Sequence, residues 1–207
     1  MICRILPLIG VVLFLGVGLG GRAWLHARRY GACGIVLFRG SRRGQDVRDS
    51  LLVLLLLLLT GQALLAAGFP AWLPRPAFGM SPATAVVLCR AGAALLSGGL
   101  ALLLVAQLNL GASWRIGIEE AARPGLVTGG LYRFCRNPIF LFMLVMFVGY
   151  ALLLPTWLSA GMLVGAFVGV RQQVIAEEAY LSRVYGDQYR AYAGRVGRFL
   201  PWVGRLR

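Results

Sequence analysis

The chain has 207 residues, 59% of them hydrophobic, with a formal net charge of +14 and a mean hydropathy of +0.77. A soluble domain of this length leaves too much surface exposed to hide so many apolar residues, so an ordinary soluble globular fold is excluded. Every basic residue is Arg. The arginines lie between apolar runs and in the tail, a pattern that favours anionic lipid headgroups over nucleic acid.

The sequence contains little that would bind a metal. Its four cysteines, Cys3, Cys33, Cys89 and Cys135, never occur at C-x-x-C spacing, and His26 is its single histidine. We therefore predict no metal site and no redox motif. Three of the cysteines lie in or beside apolar runs, where cysteine acts as a small hydrophobic residue.

The first apolar run covers Ile5–Leu19. It is interpreted as a membrane span, with a signal-peptide core as the alternative. Gly16, Gly18 and Gly21 match G-x-G-x-x-G, but the basic, glycine-broken segment that follows lacks the strand, helix and acid of a dinucleotide site. Gly16 and Gly20 are instead predicted to form a close helix-packing face.

A polar loop is predicted at 21–50, followed by a second span over 50–67. The pair Ser81-Pro82 is typical of a helix start, so a third span is predicted from there to about Asn109. A second loop at 110–138 follows.

Two apolar segments, 139–154 and 157–170, are separated by Pro155 and predict a tight helical hairpin. Its second helix is expected to continue beyond the membrane through Glu177 and Tyr185. Glycines recur every four residues and predict a small-residue packing face: Gly161, Gly165 and Gly169.

The resulting fold class is an all-α integral membrane protein with about five transmembrane helices and a helical C-terminal tail. The two loops and the tail hold 18 of the 21 arginines, and five spans place all three segments on one side. The positive-inside rule makes that side cytoplasmic and the N-terminus external. We expect a bacterial inner-membrane protein with three N-terminal spans in 1–110 and a cofactor-binding region in 111–207.

Two polar segments carry candidate chemistry. The first, 130–140, reads GLYRFCRNPIF and places Asn137 and Pro138 where a helix enters the membrane. Asn137 is predicted to cap that helix, whose free N–H groups suit an anion. An anchor that touches lipid phosphates is the alternative. The second contains the adjacent acids Glu177 and Glu178, for which a structural ion pair with Arg is equally open.

Together these segments resemble the isoprenylcysteine carboxyl methyltransferase family and its phospholipid-methyltransferase relatives. That family shows G-x-Y-R-x-x-R-H-P-x-Y, a helical hairpin, an E-E pair and then a segment like F-G-x-x-Y-x-x-Y-x-x-x-V-x-R-x-x-P. The order and spacing agree over about 126–201, ending in YGDQYRAYAGRVGRFLP at 185–201. Asn137 replaces the family's His and Phe140 its second Tyr. A role that needs a histidine proton is therefore excluded here.

The resemblance implies methyl transfer from S-adenosylmethionine, with S-adenosylhomocysteine as product, to a lipophilic acceptor in the bilayer. It implies Arg136, Asn137 and Glu178 as catalytic residues. The implied cofactor-binding residues are Leu126, Val127, Tyr132, Arg136, Asn137, Pro138, Glu177, Glu178 and Tyr189. Trp114 and Arg115 are weaker candidates for contact with the acceptor, with an interfacial anchor as the alternative for Arg115.

Two other functions remain compatible with the sequence. Sterol double-bond reductases share a similar C-terminal region and use NADPH, and a non-catalytic membrane scaffold needs no cofactor. The acceptor itself stays open among prenylcysteine, phospholipid amines, small thiols and isoprenoid acids.

Overall fold

The computed structural model describes residues 2–31, 34–38, 43–73, 79–116 and 125–206. These residues are almost entirely helical and contain no strand, only two isolated bridges, Ile35 with Ile116 and Cys135 with Gly197. The six α-helices are α1 (Ile2–Leu13), α2 (Arg22–Tyr30), α3 (Arg43–Gly68), α4 (Pro82–Leu110), α5 (Pro138–Leu153) and α6 (Trp157–Arg195). The predicted all-α architecture is confirmed.

The first span is longer than the sequence indicated. A π-helical stretch, Phe14–Gly21, joins α1 to α2, so the helix runs unbroken to Tyr30 and ends at Gly31 with φ 71°. The predicted loop at 21–50 is therefore wrong for residues 22–30 and from 43 onward. Arg22 lies within the helix, where its Nη2 donates to the carbonyl of Gly111 at 2.8 Å, just beyond the end of α4.

Within the described residues, four helical segments are long and apolar enough to cross a membrane. They are Cys3–Tyr30, Gly44–Gly68, Pro82–Ser113 and Trp157–Arg195. Helix α5 is apolar but has only 16 residues, which gives it a length of about 24 Å. The estimate of about five spans thus rests on counting this short helix.

Glycines bring α4 and α5 into the most extensive helix contact of the fold. A Cβ at Gly149 would lie 2.5 Å from the Leu96 backbone nitrogen, and one at Gly92 would lie 2.8 Å from the Gly149 carbonyl oxygen. A Cβ at Gly99 would meet Met146 at 2.8 Å. Close backbone approach of this kind is the usual reason for small residues at membrane helix interfaces.

The glycines that were predicted to form helix-packing faces do not contact another helix. A Cβ at Gly16, Gly161, Gly165 or Gly169 would meet nothing within 4 Å, and one at Gly20 would meet only Leu15 of its own helix. The three α6 glycines instead line a cavity. Spacing identified a small-residue face, but spacing alone does not say whether that face meets a helix or open space.

We predict that Gly149→Ala destabilises the protein while Gly165→Ala does not. The new methyl group at 149 must displace the backbone of α4, and overpacking of this kind costs about 1–3 kcal/mol. At 165 the methyl group enters open space, and alanine favours the helix. Thermal unfolding in detergent measures both variants. Equal midpoints would show that the α4–α5 contact tolerates expansion.

The hairpin turns at Pro155 as predicted, and Thr156 starts α6 by accepting a hydrogen bond from the Ser159 amide at 3.1 Å. Gln62 of α3 donates to Thr156 at 2.7 Å. Helix α6 continues past Glu177 as expected. It bends at Gly186, whose φ of 50° lies in the region that favours glycine.

A disulfide joins Cys3 of α1 to Cys89 of α4. The view of these cysteines as small hydrophobic residues is therefore wrong, and sequence spacing could not have paired residues 86 positions apart. The bond lies at the end of the helices where α1 and α4 begin. Cys135 is a free, buried thiol, and burial raises its pKa.

Candidate functional site

The Glu178 carboxylate is the centre of a buried ionic network. Its Oε1 accepts from Nε and Nη2 of Arg136, at 3.1 and 3.0 Å, and from Nδ2 of Asn137 at 3.0 Å. Its Oε2 accepts from Nε and Nη2 of Arg198, at 3.1 and 2.8 Å. The structure thus brings together Arg136, Asn137 and Glu178, for which the family resemblance implied catalytic roles. Glu178 forms an ion pair with Arg136, which was the structural alternative for this acid.

All the donors of Arg136 are used inside the protein. An arginine has five N–H groups, and two of these donate to Glu178. The other three donate to the carbonyls of Ala193, Val196 and Gly204, at 2.9, 2.7 and 3.0 Å. The side chain is 1% exposed. To hold a ligand carboxylate directly, Arg136 would have to give up one of these bonds.

Asn137 stands at the N-terminal end of α5, directly before Pro138, as predicted. It does not cap the helix with its side chain, so that part of the prediction is wrong. Its Nδ2 instead donates to Glu178 and to the Arg198 carbonyl, at 3.0 and 3.2 Å. A neutral amide donor can fill this position where a proton-carrying imidazole is not required.

The tail folds back onto this turn. The amides of Arg136 and Asn137 donate to the carbonyls of Gly197 and Arg198, at 2.9 and 3.2 Å. The Leu206 amide donates to Ala193 at 3.0 Å. The network therefore joins α5, α6 and the tail, and Glu178 raises the pKa of the Arg198 guanidinium by accepting its hydrogen bonds.

Three tyrosines form one wall of the site. The Tyr192 hydroxyl donates to the Tyr132 carbonyl at 2.6 Å, and the Tyr189 and Tyr192 rings meet edge to face at 6.2 Å. Leu126 packs against them. Burial raises the pKa of the Tyr132 phenol far above its ordinary value, so it stays neutral.

The Tyr189 hydroxyl is buried and forms no hydrogen bond with any described residue. The residue is 1% exposed, it lines the cavity, and no described group bonds to its hydroxyl. A buried polar group without a partner is costly. Such a group in a cavity wall is typical of a position that a ligand completes.

Glu177 is half-buried and lines the same cavity. Within the described part of the chain its carboxylate accepts no hydrogen bond, in contrast to the adjacent Glu178. Arg115 is close enough to interact with it electrostatically. The two acids therefore have separate positions, one inside the ionic network and one facing the cavity.

The cavity has a volume of about 850 Å³, within the range of small-molecule sites. One end is polar and contains Glu177, Arg115 and Tyr189. The other end is apolar and lies between α3 and α6. Residues there include Leu51, Leu54, Leu55, Leu58, Gly161, Gly165 and Gly169.

The remaining candidates also border this cavity: Trp114, Leu126, Val127, Tyr132, Arg136 and Asn137. Trp114 is 2% exposed and packs beneath the Arg22 guanidinium, 4.8 Å from its ring. It is therefore a core residue with an edge on the cavity. Pro138 is buried and starts α5.

Sequence reasoning missed Gln107 and gave no role to Arg198. Gln107 is 3% exposed and is one of the residues that border the cavity, and its buried Oε1 has no partner among the described residues. An amide in an otherwise apolar helix was the available signal. Arg198 lay within the family-like tail segment, but its contact with Glu178 depends on the fold of the tail.

Comparisons with known proteins agree with the motif. Residues 88–188 match the family model described as phospholipid methyltransferase. Over 86 residues the chain is 35% identical to methanethiol S-methyltransferase 1 of Bradyrhizobium diazoefficiens, covering 41% of this chain and 29% of that protein. The chain thus spans less than a third of this relative's length.

One solved structure is also similar, that of the eukaryotic intramembrane Ras methyltransferase ICMT, isoprenylcysteine carboxyl methyltransferase. The sequences are 17% identical, and the match covers 92% of this chain and 76% of that one with a TM-score of 0.45. The matched region, 88–188, runs from α4 to just beyond the Gly186 bend and contains the ionic network except for the tail. Residues 88–188 are thus similar to the phospholipid methyltransferase family, in agreement with the motifs at 130–140 and 177–178.

Proposed function

We propose that this membrane protein is a methyltransferase that uses S-adenosylmethionine to methylate a lipophilic acceptor, with the cofactor region in 111–207. The observation that supports it best is the shape of the cavity. A polar end, where no described residue bonds to the Tyr189 hydroxyl, adjoins an apolar end between two membrane helices. The polar end suits a charged cofactor and the apolar end a hydrocarbon chain.

The residues present fit this cofactor. Its ammonium and ribose hydroxyls require acceptors, which Glu177 and the Tyr189 hydroxyl provide. Its carboxylate requires a cation or free backbone N–H groups, which Arg115 and the start of α5 at Ile139 provide. The buried aromatic wall formed by Tyr132 suits a flat base.

When bound, the cofactor supplies an electrophilic methyl group for in-line displacement. The protein's task is to hold two reactants in line and to exclude water, and positioning of this kind accounts for large accelerations. A thiolate or carboxylate acceptor needs no general base. We therefore assign Arg136, Asn137, Arg198 and Glu178 as positioning residues that fix the tail against α5, and Glu177 as the group that contacts ligand.

The volume of the cavity also indicates the size of the acceptor. A cofactor together with a short thiol would leave the apolar end between α3 and α6 unfilled. We infer an acceptor with a hydrocarbon portion that lies along the open face of Gly161, Gly165 and Gly169. The test is incubation with methyl-labelled cofactor and either a total bacterial lipid extract or a short thiol. Label in the lipid phase supports the proposal, and label only in the volatile thioether contradicts it.

The disulfide supports an external N-terminus and a cytoplasmic site. Disulfides persist in oxidising compartments, and Cys3–Cys89 lies where α1 and α4 begin. The ionic network lies at the opposite end, where α5 begins. We propose that this latter end faces the cytoplasm of a bacterial cell.

Labelling with a membrane-impermeant maleimide tests this orientation. In a background with Cys33 replaced by Ala, Ala83→Cys at the start of α4 is expected to react in intact spheroplasts. Asp187→Cys near the Gly186 bend is expected to react only after permeabilisation. The reverse pattern would invert the proposed topology.

A further inference from the structure

The last turn of the tail exposes an apolar surface next to the ionic network. Leu200, Trp202 and Val203 are 54%, 75% and 61% exposed. Trp202 also has a φ of 65°, which is unfavourable for a bulky residue. The Arg198 amide, which donates to Val203 at 2.8 Å, and the Leu200 carbonyl, which accepts from the Val203 amide at 3.2 Å, hold the turn in this form.

Backbone hydrogen bonds fix where this turn lies relative to the bilayer. The Arg198 carbonyl accepts from both the amide and the side chain of Asn137, each at 3.2 Å. Asn137 immediately precedes α5, which is apolar from Ile139 onward. The turn therefore lies at the level where α5 enters the membrane.

The positive charge around the turn is complementary to an anionic lipid surface. The sequence from 188 to 207 contains five arginines and no acid, and Arg195 and Arg205 are exposed on either side of the turn. Tryptophan prefers the interfacial layer of a bilayer, and clustered arginines near that layer are attracted to anionic headgroups.

We propose that the turn Leu200–Val203 inserts into the headgroup layer, with Arg195 and Arg205 on anionic lipid. The same turn leads to Gly204, whose carbonyl accepts from Arg136 at 3.0 Å. Lipid docking therefore holds in place the tail that completes the Glu178 network. The inference does not depend on which cofactor or acceptor the protein uses.

Depth-dependent quenching tests the proposal directly. Trp202→Cys, in a background with Cys33 and Cys135 replaced by Ala, is labelled with bimane and reconstituted into phosphatidylcholine–phosphatidylglycerol nanodiscs. The matched control is Asp187→Cys, because that side chain is 97% exposed and lies nine residues beyond Glu178. Quenching by headgroup-labelled and 5-doxyl lipid is expected to be several-fold stronger at 202 than at 187, and to weaken without phosphatidylglycerol.

Equal quenching at the two positions would overturn the proposal. So would quenching at 202 that disappears when nanodiscs are diluted, since lipid of the same disc quenches independently of dilution. A second measurement is hydrogen exchange of the Leu206 amide, which donates to Ala193. Trp202→Asp is expected to accelerate this exchange in nanodiscs, whereas Trp202→Tyr is expected to preserve its protection. Unchanged exchange in the Asp variant would show that lipid does not hold the tail.

Discussion

Replacing Arg136 by Ala is expected to remove most of the stability of the end of the protein that carries the ionic network. The substitution removes the two hydrogen bonds that Arg136 donates to the buried Glu178 carboxylate and the bonds that it donates to the carbonyls of Ala193, Val196 and Gly204. Breaking one partner of a buried pair typically costs about 3–5 kcal/mol. Arg136→Lys is expected to restore only part of this, since an ammonium has three donors where five are used.

Thermal unfolding in detergent measures this loss, and Arg133→Ala is the matched control. Arg133 lies in the same turn but is exposed, so its variant is expected to unfold near the wild-type midpoint. If both variants unfolded at similar temperatures, the network would contribute little to the fold. In that case Arg136 would be available to a ligand after all.

Replacing Glu177 by Gln is expected to weaken cofactor binding while leaving the fold intact. Glu177 faces the cavity and accepts no hydrogen bond from the described residues, so no internal bond is lost. A hydrogen bond to a charged group is worth about 1.5–3 kcal/mol, which corresponds to about a 10- to 100-fold weaker Kd for S-adenosylmethionine. Calorimetry on folded variants measures this change.

Asp187→Asn provides the control for Glu177→Gln, because it removes the same charge from an exposed position on the same helix. It is expected to leave the Kd unchanged. Glu178→Gln is expected to behave differently from both, unfolding at lower temperature because Arg136 and Arg198 lose their shared counter-charge. If Glu177→Gln instead unfolded like Glu178→Gln, the two acids would have one structural role.

The sequence predicted the membrane class, the start of α4 and the turn at Pro155, since these depend on composition and on local proline and capping chemistry. It predicted which segments meet at the site, because the order of the motifs follows a known family. It failed where contacts are long-range. The Cys3–Cys89 bond, the closeness of Gly149 to Leu96 and the contact of Arg198 with Glu178 all join distant residues.

The roles within the motif were the hardest part to predict. Arg136 and Glu177 are both charged residues beside a membrane helix, and composition treats them alike. Only the donor count shows that Arg136 is fully used by the protein, and only the cavity shows that Glu177 faces open space. Gly165 was wrongly predicted to pack against a neighbouring helix for a similar reason. A helical repeat defines a face of the helix but does not show what that face contacts.

Binding of S-adenosylmethionine to the purified wild-type protein is the most direct test of a cofactor site in this cavity. Calorimetry in detergent, with S-adenosylhomocysteine and NADPH measured alongside, distinguishes the possible cofactors. We expect micromolar binding, about −8 kcal/mol, for the first two compounds and none for NADPH. Binding of NADPH alone would indicate a reductase, and a folded protein that binds none of the three would contradict a cofactor site in this cavity.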